Sequence, residues 1–127
     1  MTSPSSQRLH IVPSQFVVEH YPNATFPEDD EWIALVRAPE GLTAIREVPP
    51  FVDAERWVGF YGDAPHHLAA TGMLAAIVGP LAEAGLPVFV ASTYHADLVL
   101  VPEHRMADAT TALQEAGHQV VQPSKPS

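Results

Sequence analysis

Apolar residues fall into short β-branched runs over the first half of the chain, and into helical stripes alternating with strands over the second. Leu9 to Val12, Gln15 to His20, Trp32 to Arg37 and Leu42 to Glu47 are rich enough in Val, Ile and aromatic residues to predict strands. Between the last two, Pro39-Glu40-Gly41 combines a Pro that presets a turn with a Gly that tolerates positive φ, so the pair reads as a hairpin. The segment Tyr21 to Glu31 holds two prolines and ends in consecutive carboxylates, which predicts an acidic surface loop. Pro49-Pro50 blocks a continuous strand, a short helical turn is expected around Asp53 to Arg56, and Trp57 to Tyr61 resumes as a strand.

From Leu68 to Ala84 the apolar positions Leu68, Met73, Leu74, Ile77, Leu81 and Ala84 line one helical face, and Gly85 followed by Leu86-Pro87 gives a stop signal. Gly79-Pro80 is expected to kink or interrupt that helix. Val88 to Ser92 and Asp97 to Val101 are strands joined too closely for a crossover, hence antiparallel neighbours. Pro102 to Ala116 repeats the helical stripe through Met106, Ala109, Thr110, Leu113 and Ala116, Gly117 closes it, and His118 to Val121 is a last strand. From Trp57 onward the order is β-α-β-β-α-β. That is the order of a ferredoxin-like α+β sandwich, with an antiparallel sheet carrying its helices on one face.

Composition narrows the function. A chain of 127 residues with 46% hydrophobic content can fill one core. Its formal charge of −9, from 15 acidic against 6 scattered basic residues, disfavours nucleic acid, whose phosphates need clustered Lys and Arg. The absence of cysteine excludes disulfides and thiolate chemistry. Apolar stretches such as Leu74 to Leu81 are broken by Gly or Pro well short of a membrane span, so the expectation is a cytoplasmic protein with frayed tails at 1–8 and 122–127.

The run Gly72-Met73-Leu74 to Gly79-Pro80-Leu81-Ala82-Glu83-Ala84-Gly85-Leu86, followed by Ala91-Ser92-Thr93-Tyr94-His95-Ala96-Asp97-Leu98-Val99-Leu100-Val101, resembles the CASTOR-type ACT domain family. The resemblance is strongest from Thr71 to His118, with a weaker match over the hairpin at Trp32 to Ile45. It implies two ACT-like subdomains, at 9–55 and 56–121, and a regulatory protein that binds an amino acid or related metabolite without a cofactor. It further implies a ligand carboxylate at the helix start formed by Thr71, Gly72 and Met73, where free amide N–H groups gather. Asp97 would meet an ammonium or guanidinium group, with hydroxyl contacts from Ser92, Thr93 and Tyr94. The implied partners are a second copy of the chain in a homodimer, or a larger enzyme. Two departures touch this pocket: Gly41 precedes Leu42-Thr43 where the family places an acidic residue, and the segment 63–70 is longer and richer in histidine.

A competing reading makes the chain a small enzyme, with His66, His67 or His95 transferring protons and Asp97 orienting the imidazole for acid-base or cyclisation chemistry. The same residues are the candidates for a metal, but adjacent histidines point apart and divalent sites need three or four convergent ligands, so no metal is expected. No Gly-x-Ser-x-Gly elbow is present for a serine hydrolase. Residues Glu28 to Glu31 lack the alternation and bend glycine of a calcium loop.

Overall fold

The computed structural model describes residues 7–22, 32–48, 55–62, 72–93 and 97–122. Its elements are β1 (Arg8–Tyr21), β2 (Trp32–Ala38), β3 (Gly41–Glu47), β4 (Trp57–Gly62), α1 (Met73–Glu83), β5 (Phe89–Ser92), β6 (Asp97–Pro102), a 3-10 turn (Glu103–Arg105), α2 (Met106–Glu115) and β7 (Gln119–Val121). The expected acidic loop, the turn near Asp53 and the first residues of the longer helix fall largely outside the described residues.

The two strands expected at the start are one. Between the pairs Ile11↔Phe60 and Gln15↔Val58, β1 advances four residues while β4 advances two, so β1 bulges. Pro13, which has no N–H to give a ladder, sits in that bulge. An excess of two residues leaves the alternation intact: Leu9 and Ile11 face one side, Val12, Phe16 and Val18 the other.

All seven strands form one sheet, in the order β2-β3-β1-β4-β6-β5, with β7 paired to β1. The β2–β3 hairpin pairs Ala38 with Gly41 across Pro39-Glu40. Gly41 has φ of 130°, and a Cβ there would lie 2.5 Å from the Tyr21 carbonyl oxygen, so both conformation and space demand glycine. A β-α-β-β-α-β unit closed on itself would set β7 beside β4. Here β1 occupies that place, antiparallel to β4 and parallel to β7, with the Gln119 amide donating to the Gln7 carbonyl at 2.9 Å.

The helices cover one face of the sheet, as the stripes predict. Ile77 and Leu81 of α1 and Ala109 and Leu113 of α2 pack on Leu9, Ile11, Val58, Phe60, Val99 and Val101. Burying each larger side chain contributes about 1.5–3 kcal/mol. Both helices end in the same device: Gly85 (φ 75°) and Gly117 (φ 97°) turn the chain, so that the Leu86 amide donates to the Leu81 carbonyl and the His118 amide to the Leu113 carbonyl, each at 3.0 Å.

Gly79-Pro80 does not interrupt α1, which runs through Pro80 to Glu83. A proline at position 80 withholds the amide that would bond the Ala76 carbonyl. The buried His118 replaces it, its Nε2 donating to Ala76 O at 2.7 Å. Its Nδ1 accepts the Gln7 amide at 3.1 Å, which fixes the ring as the Nε2–H tautomer.

The other face of the sheet has its own core of Phe16, Ile45, Trp57, Leu98 and Leu100. Ala34 of β2 and Ala91 of β5 stand at opposite ends of the strand order, yet both pack on this cluster. The sheet therefore curls into a trough whose concave side shelters Phe16 and Leu100 at 2% and 0% exposure. Gly59 lets the floor close: a Cβ there would stand 2.9 Å from Leu98 Cδ1 and 3.3 Å from both Leu100 Cδ2 and Phe16 Cε2. Trp57 meets Phe89 edge to face, with ring centroids 5.1 Å apart.

Candidate functional site

The register gathers most of the expected ligand residues at one end of the sheet. Leu9 pairs with Gly62, Tyr61 with Leu98 and Ser92 with Asp97, so β1 and β6 begin where β4 and β5 end. The start of α1 lies at the same end, since Gln7 Nε2 donates to the Met73 carbonyl at 2.8 Å. Gly72 is the residue before the helix, at φ of 80°, with no side-chain cap and no acidic residue in the first turn. The first-turn amides of α1 are thus not neutralised by a carboxylate of their own helix.

Asp97 opens β6. Because Val99 and Val101 pack beneath the helices while Leu98 and Leu100 face the trough, alternation turns Asp97 to the helix side. It is 7% exposed, and Ser92 Oγ donates to its Oδ1 at 2.6 Å across the β5–β6 pair. That charge-assisted bond fixes one carboxylate oxygen and offsets part of the cost of burying the charge. Among the described residues no group of three His, Asp or Glu converges as a metal site. Thr71, Tyr94 and the histidines His66, His67 and His95 lie outside the described residues, as does any proton relay through them.

Ser92 and Thr93 also border a cleft of about 360 Å³ on the concave face. Its apolar lining comes from Val12, Phe16, Ile33, Ala34, Ala91 and Leu98, and its polar groups are Glu47, Tyr61 and the Ser92-Thr93 pair. The Tyr61 hydroxyl and Thr93 Oγ1 are 3.2 Å apart and share a hydrogen bond. The β1 bulge opens an adjoining hollow of about 420 Å³ against Pro13, Ser14, Gln15 and Val48, with Glu47 bordering both spaces. Sequence reasoning did not single out Glu47 or Tyr61. The available signals were a carboxylate at the end of the predicted strand Leu42 to Glu47 and a proline inside a β-rich run.

On the side of the trough beyond the helices, Arg46 bonds the Glu19 carboxylate at 3.1 Å and lies 3.4 Å from the Tyr21 hydroxyl, fastening β3 to β1. The pair is partly exposed and contributes modestly.

Residues 54–115 match the family model of the ACT domain. No curated protein matches the chain. Among solved structures, a protein from Agrobacterium tumefaciens is similar at a TM-score of 0.80 and 20% identity, covering 96% of this chain and 97% of its own. A protein of unknown function from Vibrio cholerae, described as a possible transport protein, is similar at 0.69 and 25% identity, over 90% of this chain and 89% of that one. A structure of aspartokinase alpha and beta subunits is similar at 0.63 and 14% identity, over 87% and 97%. The first and third share the fold, across the N-terminal strands as well as the matched segment. ACT domains are in general regulatory modules that bind small ligands, and none of the described helices is long and apolar enough to cross a membrane. The matched segment, residues 54–115, carries β4 through α2 and is the part of the chain that is similar to an ACT domain.

Proposed function

We propose that this protein is a regulatory module of the CASTOR type that binds an amino acid or a closely related metabolite at the end of the sheet where α1 begins. The ligand carboxylate meets the amides of Thr71, Gly72 and Met73, and its ammonium group meets Asp97. Ser92, Thr93 and Tyr94 supply hydroxyl contacts. The observation that carries this reading is the buried Asp97 carboxylate, held by Ser92 at 2.6 Å at the same end of the sheet as the uncapped helix start. Opposite partial and full charges at that end suit a zwitterion.

Two ACT-like halves, 9–55 and 56–121, share the one sheet under this proposal, and occupancy is passed to a second copy of the chain or to a larger enzyme. The edge strand β5, with Phe89 at 40% exposure, is a surface such a contact would protect. The test is isothermal titration of the ligand-free protein with each of the common amino acids. Saturable binding that is lost in Asp97→Asn supports the reading; no heat from any of them, with the protein folded, refutes it.

A further inference from the structure

We infer that the concave cleft is a second binding site, for a small ligand that joins an aromatic or aliphatic body to a cationic amine. Strands from both ends of the sheet order line it, as the wall of a β-barrel mouth would, and such mouths are common places for small ligands. Its floor is a formed surface, because Phe16 and Leu98 are already buried at 2% and 9% exposure against Leu100. A volume of about 360 Å³ suits a ligand of one ring and a short chain.

The sign of the charge follows from what lines the cleft. Among the described lining residues Glu47 is the acidic one and none is basic, and Glu47 takes no part in the Arg46–Glu19 or Arg105–Asp108 ion pair. The protein as a whole carries −9, which raises the local concentration of cations and repels carboxylates. An amine at Glu47 leaves the body of the ligand on Val12, Phe16, Ile33, Ala34 and Leu98. The Tyr61–Thr93 hydroxyl pair then receives any polar group at the far end. Ser92 borders this cleft while its hydroxyl is engaged by Asp97, so the amine's charge partner is Glu47 and not Asp97.

Titration with phenethylammonium at neutral pH, followed by calorimetry and by amide chemical shifts, tests the inference. Wild-type protein is expected to bind it saturably, with the largest shifts at Val12, Glu47 and Tyr61. Glu47→Gln should weaken it about tenfold or more, the scale of one lost charge-assisted bond. Neutral 2-phenylethanol should bind correspondingly less well, and Ala34→Phe, which fills the cleft, should abolish binding in a protein whose far-UV dichroism is unchanged. Asp97→Asn should leave the amine's affinity as it is, which separates this site from the amino-acid site. Absence of saturable binding, equal affinity for amine and alcohol, or loss on Asp97→Asn in place of Glu47→Gln would each overturn it.

Discussion

His118 is expected to act as the missing amide of α1, and a double-mutant cycle measures that role. Replacing His118 with Leu keeps a side chain of similar size in a site that is 6% exposed, but deprives both the Ala76 carbonyl and the Gln7 amide of their partner. Each buried group so orphaned costs about 1–3 kcal/mol, and with both only part-buried the total should lie near 2–3 kcal/mol. Pro80→Ala returns an N–H at position 80, aimed along the helix at Ala76 O. Alone it should change stability little, since the recovered bond is set against the lost stiffening of the unfolded chain, about 0.4–1 kcal/mol. In its presence His118→Leu should cost about 1 kcal/mol less than in the wild type. Urea unfolding followed by far-UV dichroism reads the cycle; with a slope of about 1–3 kcal/mol per molar, His118→Leu alone lowers the midpoint by roughly 1 M. An equal penalty in both backgrounds, within about 0.3 kcal/mol, would refute the assignment.

Three further outcomes are expected. Gly41→Ala should destabilise more than Gly85→Ala: both residues have positive φ, but a Cβ at 41 collides with the Tyr21 carbonyl whereas nothing lies within 4 Å at 85. The second substitution should cost about 1 kcal/mol and the first at least about 2, as measured by chemical denaturation. Leu113→Ala removes a fully buried side chain between the helices and the sheet, and a loss of about 2–5 kcal/mol should appear in the same assay. Ser92→Ala deletes the 2.6 Å bond to Asp97 and should cost about 1–3 kcal/mol at neutral pH; a melting temperature equal to the wild type would contradict the role given to that bond.

What the sequence discloses here is what neighbours along the chain decide. The hairpin at Pro39-Glu40, the helix stops at Gly85 and Gly117 and the pairing of β5 with β6 are local matters of turn chemistry and short connections, and each is present. The core positions Ile77, Leu81, Ala109 and Leu113 follow from helical periodicity alone. Proline was the misleading residue, because its local effect was cancelled from a distance. Pro13 fits inside one strand by a bulge whose partner β4 lies over forty residues on, and Pro80 stays in its helix because His118 reaches across from the end of α2. The trough was invisible for the same reason: no periodicity shows that Ala34 and Ala91 pack on one cluster. At the candidate site, Asp97 and Ser92 were legible as a hairpin pair, whereas Glu47 and Tyr61 enter the cleft only once the sheet has curled.

The position of β1 between β4 and β7 also governs the order of assembly during synthesis. The first of the seven strands to leave the ribosome has its far half matched early by β3, but its residues 8–10 wait on that edge for β7, the last strand to be made. At about 5–20 residues per second the intervening hundred or so residues take several seconds to appear. For the first part of that interval Leu9 and Ile11, later at the bottom of the core, have no helices above them, since α1 is complete only at Glu83 and α2 at Glu115. The parallel pairing of β1 with β7 cannot form before Gln119–Val121 is made, so this seam is the last of the sheet to close.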